Sequence, residues 1–149
     1  MDLSKLSKAD KIIGIGAIVG LIGTFLPWMS TSWDVMGITG GVSVSGFSGL
    51  GTLAFIAALA SLIVIALPFF GTKLPKLPLT EGVLQMILGA VVAGIPIIRI
   101  LQIGRFSFTG VSFGVFVTIA GGIVMIFGGS LKQKEGGVKT PPASTPPTE

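Results

Sequence analysis

The side chains in this sequence that could do chemistry are few and lie far apart. Asp34 is the only charge in the Ser/Thr/Gly-rich stretch 29–49, Gln85 and Ser61 lie inside long apolar blocks with Thr118 in another, and Arg99 and Arg105 bracket a short break. A lone carboxylate cannot supply the acid and base of a paired-carboxylate mechanism. Serines are plentiful, but the chain has no His, and no Lys lies inside an apolar block to activate one. With neither Cys nor His, the common zinc, haem and iron–sulfur ligand sets are missing, and no disulfide framework can form. The Gly-rich run ITGGVSVSG lacks the strand–Lys–helix setting of a phosphate loop. These residue types imply no catalytic group, metal or cofactor, and a protein that is not an enzyme. For Gln85, the expected use is a hydrogen bond between helices, worth roughly 0.6–2 kcal/mol in a membrane.

The elements that would position these residues are strongly apolar. Of 149 residues, 50% are hydrophobic and 11% charged, less than half the charge of about a quarter usual in soluble domains. The hydrophobic residues fall into four blocks, at about 12–28, 50–70, 82–98 and 110–129. The first, 17 residues long, reaches only about 25 Å as a helix. The second is a comfortable crossing of about 30 Å. A basic leader, 1–11, precedes them, and a charged, then Pro/Thr-rich tail, 130–149, follows and is expected not to pack. A cleaved signal peptide is the rival reading of the first block, and Pro27 and Trp28 make an awkward approach to a cleavage site at Ser30–Ser32. Placing both termini inside puts eight Lys on the cytoplasmic side and only Arg99 and Arg105 outside. The expectation is an all-α integral protein of the plasma or inner membrane: a bundle of four transmembrane helices, both termini cytoplasmic, with a small β-hairpin in the first outer loop.

Lipid tails are as apolar as Leu, so membrane helices associate where small residues let backbones approach. Each block has such a stripe. The residues singled out for helix packing are Gly16, Gly20 and Gly23 in the first block, Gly89 in the third, and Gly114, Gly121 and Gly122 in the fourth. They serve either the bundle itself or contact with another subunit, most plausibly through Gly16 and Gly20. Trp28 and Trp33 read as interfacial anchors, and Pro27, Pro68 and Pro96 as punctuation near helix ends. The first and third blocks share GA-(I/V)-V, at 16–19 and 89–92, which suggests a duplicated two-helix hairpin.

The outer loops are the most informative part for function. Residues 36–47, MGITGGVSVSGF, alternate apolar and small polar residues and predict a β-hairpin turning at Gly40-Gly41. An isolated hairpin is marginal in water, so it needs a surface to lie on. Arg99 and Arg105 read as contacts to an acidic partner or to lipid phosphate. The net charge of +4 suits anionic headgroups and not nucleic acid, because the Lys residues flank apolar blocks without interleaved aromatics.

With its basic leader, a first block ending in Phe25-Leu26-Pro27-Trp28 and a Gly/Ser loop, the pattern resembles uncharacterised small prokaryotic four-span membrane proteins. The layout is also similar to that of claudin-type tetraspan proteins, without their loop cysteine pair, so no adhesive role is implied. The function expected is that of a non-catalytic structural subunit, contacting other membrane subunits or copies of itself. The alternative is a small transporter or channel built from two repeated hairpins.

Overall fold

The computed structural model describes residues 6–47, 49–72, 79–104 and 110–138. They form four helices, α1 (Lys8–Phe25), α2 (Gly51–Ala66), α3 (Glu81–Gly104) and α4 (Phe113–Val138), and two strands, β1 (Pro27–Val35) and β2 (Ile38–Ser45).

Local chemistry explains the boundaries. Ser7 and Asp10 make a capping box: the Asp10 amide donates to Ser7 Oγ at 3.2 Å, and the Ser7 amide donates to Asp10 Oδ2 at 3.3 Å. Pro27 forces the residue before it out of helical geometry, so α1 stops at Phe25 and Leu26 is extended (φ −73°, ψ 155°). Downstream of α2 the chain tightens into a 3-10 helix, Leu67–Phe70, with Pro68 in its first turn and Gly71 in the left-handed region (φ 68°). Thr80 Oγ1 accepts from the Val83 amide at the start of α3.

These elements correct the expected fold. The chain is not an all-helical bundle of four membrane crossings. It has four helices plus a small antiparallel sheet, in which a single bridge from Met29 to Val111 adds a third strand to β1 and β2. Among the described residues, three helical stretches, Gly51–Phe70, Glu81–Gln102 and Phe113–Glu135, are long and apolar enough to cross a membrane. α1 is not among them. The first four of its 18 residues include Lys8, Asp10 and Lys11, leaving 14 uncharged, well short of the roughly 20 a crossing needs. Pro27 and Trp28, expected to complete that first crossing, belong to β1. α3 runs on through Arg99 to Gly104, so Pro96 lies within it instead of near its end. α4 continues to Val138, beyond the expected end at 129. Residues 139–149 of the tail lie outside the described residues.

The helices alternate in direction, and α4 is the hub, clasped between α1 and α3. Small residues make this possible. A methyl group on Gly16 would come within 2.7 Å of the Gly121 carbonyl oxygen, and one on Gly89 within 2.9 Å of that of Gly122. At 2.8 Å from the Gly129 carbonyl oxygen, a methyl on Gly82 would be equally crowded. α2 packs more loosely, against α1 and α3, so the two proposed repeats do not pack alike. Between α2 and α3, Ser61 donates to Gln85 Oε1 (2.5 Å) and Gln85 Nε2 donates to the Ser61 carbonyl (3.3 Å), both fully buried. Replacing Gln85 by Leu removes both bonds, and a double-mutant cycle with Ser61→Ala should report a coupling of about 1 kcal/mol. Outward faces are lined by large apolar side chains, among them Ile15, Ile22, Leu53, Ile63, Phe116 and Phe127.

Candidate functional site: a hairpin fixed to one end of the bundle

β1 and β2 form an antiparallel hairpin whose two-residue turn is Met36-Gly37, because Val35 pairs with Ile38. Both turn residues have positive φ, 56° and 79°, the backbone signature of a type I′ turn, whose twist matches that of the strands. Gly40 and Gly41, the expected turn, instead lie within β2 opposite Trp33 and Ser32. The hairpin is therefore longer than its sequence pattern suggests: β1 recruits residues 27–35 from the stretch that otherwise reads as helix end and loop.

Its base is built into the bundle. The Trp28 side chain is 4% exposed, and its indole Nε1 donates to the Gly23 carbonyl at the end of α1 (2.9 Å). On the other side the ring lies so close to Gly46 that a methyl there would sit 2.7 Å from Trp28 Cδ1. The Gly46 amide donates to the Leu26 carbonyl, Ser30 to Gly110, and Ser112 to Trp28, at 3.3, 3.1 and 2.9 Å. Gly114 completes the seat, since a methyl there would come 2.7 Å from the Pro27 carbonyl oxygen. A hairpin that would be marginal alone is thus held by the start of α4, by the end of α1 and by an indole plug.

Beyond this base the hairpin stands free. β2 is exposed along nearly its whole length, and Val35, Ile38 and Val42 are each more than half exposed. Met36 at the tip is 99% exposed. One hairpin face has a shallow hollow of about 180 Å³ lined by Ser30, Thr31, Ser32, Gly41, Val42 and Ser43. Beneath the hairpin lies a second, more enclosed cavity of about 130 Å³, bounded by Trp28, Met29, Val44, Gly49, Arg99 and Val115. At the same end, Phe25, Phe47 and Phe55 form an aromatic cluster with ring centroids 4.9–6.2 Å apart.

The residues singled out from sequence are distributed as follows. Gly16, Gly20, Gly23, Gly89, Gly121 and Gly122 all lie at helix crossings within the chain: Gly16, Gly23 and Gly89 face α4, Gly121 and Gly122 face out from it, and Gly20 faces Val92 of α3. Trp28 is enclosed by protein and not presented at the surface. Trp33 pairs with Gly40 through its backbone, and its side chain is not among those described. Arg99 lines the cavity under the hairpin, and Arg105 lies outside the described residues. The partially exposed aromatic cluster and the indole plug were not legible as such; Phe25 and Phe55 are 30 residues apart in sequence, with the hairpin between them.

At the opposite end of the bundle, Lys132 Nζ contacts both Asp10 Oδ1 and Glu81 Oε1 at 2.5 Å. One ammonium thereby joins the last turns of α4 to the first turns of α1 and α3. Lys132→Met leaves two carboxylates facing each other in a half-buried site and should lower stability by about 1–3 kcal/mol, read as a fall in melting temperature that Asp10→Asn with Glu81→Gln partly restores.

Among the described residues, no group of three or more His, Cys, Asp or Glu converges as a metal site. Comparison of this chain with protein families, with curated proteins and with solved structures finds no match.

Proposed function

We propose that the protein is a non-catalytic subunit of a membrane assembly, which presents its β-hairpin to another membrane protein or to a second copy of itself. What supports this most is the combination of a rigidly seated base with exposed apolar side chains at Val35, Met36, Ile38 and Val42. Apolar side chains gathered on an exposed element mark a contact surface, and a fixed base lowers the entropy lost when that surface is covered.

In this reading the apolar outer faces of the helices lie in lipid of the plasma or inner membrane. The end carrying Lys8, Lys11, Lys132 and Lys134 faces the cytoplasm, and the hairpin end, with Arg99, faces outward. Asp10 and Lys132 are in contact, so the start of α1 lies beside the last turns of α4 at one end of the bundle. Helix glycines serve packing inside the subunit, which leaves the hairpin, and not a Gly face, as the surface for partners. A transporter or channel finds less support. The buried polar side chains Thr24, Ser61, Gln85 and Thr118 all hydrogen-bond within the chain, as a packed interior requires.

Extraction of the tagged protein in a mild neutral detergent, followed by mass measurement of the intact particle, tests the proposal. A particle heavier than one 15.2 kDa chain by whole copies or by a stoichiometric partner is expected. Replacing Ile38 and Val42 by Ser should dissociate it, whereas Ile56→Ala on the outer face of α2 should not. A particle of one chain only, from native membranes, counts against the proposal.

A further inference from the structure

We propose that β2 pairs, edge to edge and antiparallel, with β2 of a second copy of this chain, joining two hairpins into one continuous sheet. The inference rests on the reading of the hairpin as a contact surface and names what covers it.

The hydrogen-bond phase of the hairpin decides which backbone groups are free. Across the two-residue turn, Val35 and Ile38 exchange both backbone bonds, and bonded and non-bonded pairs alternate from there along the ladder. Ser30, the partner of Ser43, fits this phase, because its amide turns away from β2 and donates to the Gly110 carbonyl at 3.1 Å. Thr39, Gly41 and Ser43 therefore direct their N–H and C=O groups away from β1, along the outer edge of β2. Apart from the ladder to β1, residues 38–45 make no hydrogen bond among the described residues. All of them but Gly40 are exposed.

Such an edge invites another strand, and proteins ordinarily guard it with Lys, Pro or a bulge. β2 has none of these: ITGGVSVS carries no charge and no Pro, and the register shift at Pro27/Met29 lies on β1. The outer edge of β1 differs. Gly110 and Ser112 already bond to Ser30 and Trp28 there, and Asp34 adds a charge.

A second copy suits this edge because an antiparallel edge is complementary to itself. A two-fold axis through the sheet makes every contact twice. With the axis at Gly41, Thr39 lies opposite the second copy's Ser43, and Ile38 opposite its Val44. The paired edges then share about six backbone hydrogen bonds. Opposed residues project from the same face, so Ile38, Val42 and Val44 of both copies extend one apolar surface. Neither strand is charged, so no like charges meet at the axis. An axis at Val42 would set Ile38 against Gly46, which is enclosed by the Trp28 ring and bonded to Leu26.

The chain has no Cys, so introduced cysteines report the pairing without background. Full-length Ile38→Cys and Val44→Cys chains, differently tagged and co-expressed, are oxidised in native membranes. A disulfide between the two tags is expected, since a non-bonded antiparallel pair brings Cα atoms to about 4.5 Å. Neither variant alone should crosslink, because the two copies of position 38 lie about 20 Å apart along the strands. Gly41→Pro removes an N–H that β1 does not use, and Gly41→Ala keeps it. Gly41 has no positive φ, and a methyl there lies 3.6 Å from the Thr31 carbonyl oxygen, so both variants leave the hairpin in place. In neutral detergent the parent and Gly41→Ala should contain two 15.2 kDa chains, and Gly41→Pro should weaken the dimer roughly tenfold or more. Crosslinking of Ile38→Cys with itself overturns the proposal, as does a dimer that Gly41→Pro leaves unchanged. A different protein held on the hairpin also overturns it while the subunit reading stands, and a single chain from native membranes removes both.

Discussion

Replacing Gly121 by Leu is expected to force α1 away from α4 and to destabilise the protein by about 3 kcal/mol or more, at the upper end of what overpacking does. A methyl at this position alone would approach the Gly16 carbonyl oxygen to 2.6 Å and Gly20 Cα to 2.7 Å. Both are backbone atoms, which cannot rotate aside as the tip of a side chain can. Relief requires translation of a whole helix, and α1 is tied at one end by the Asp10–Lys132 ion pair and at the other by the Trp28–Gly23 hydrogen bond. Gly94 provides the control. Nothing lies within 4 Å of a methyl placed there, so Gly94→Ala should be neutral or slightly stabilising through higher helix propensity. Thermal unfolding in one detergent, with α1–α4 proximity followed by a pair of spin labels, distinguishes a displaced helix from a general loss of structure.

Trp28→Ala should have an effect of similar size, about 3–5 kcal/mol, typical of deleting a fully buried aromatic. Its signature differs from that of Gly121→Leu. Trp28 fills the space between the end of α1 and Gly46, so its loss unseats the hairpin while leaving the Gly-packed crossings of α1, α3 and α4 in place. Limited proteolysis should therefore cut the variant within residues 27–50 before the helices unfold. Trp28→Phe keeps most of the packing and loses only the bond from Nε1 to the Gly23 carbonyl, for about 1 kcal/mol. A variant in which the hairpin stays as resistant to protease as the parent would show that the strands are held by something other than this plug.

Much of the helical organisation is legible in the sequence, because small residues at helical spacing have one strong use in an apolar chain. Gly16, Gly20, Gly89, Gly121 and Gly122 all sit at close crossings, and the polar pair Ser61–Gln85 meets between α2 and α3. The first block misleads by its hydrophobicity. Its apolar run looks like a crossing, but the helix starts earlier, at the Ser7–Asp10 capping box, and so draws three charges into its first turn. It also ends earlier, because Pro27 and Trp28 are claimed by a strand.

The hairpin turn is opaque to local reading for a different reason. Gly40-Gly41 is a better local turn sequence than Met36-Gly37, since Met rarely adopts a positive φ. What selects the observed register lies elsewhere in the chain: the bridge from Met29 to Val111 and the seating of Trp28 fix β1, and β2 then follows in register. Lys132 is similarly opaque to local reading. It touches an acid 122 residues away in sequence, and only the side-by-side alignment of α1, α3 and α4 brings the two together.

The measurement that bears most directly on the proposed role is photo-crosslinking in intact native membranes. A benzophenone side chain is placed at Val42 on the exposed strand and, separately, at Ile56 on the outer face of α2. The account predicts one discrete protein adduct from Val42, of the same partner or of a second copy, and only lipid adducts from Ile56. Protein adducts from Ile56 with none from Val42 would contradict it, because the contact surface would then be a helix face and not the hairpin.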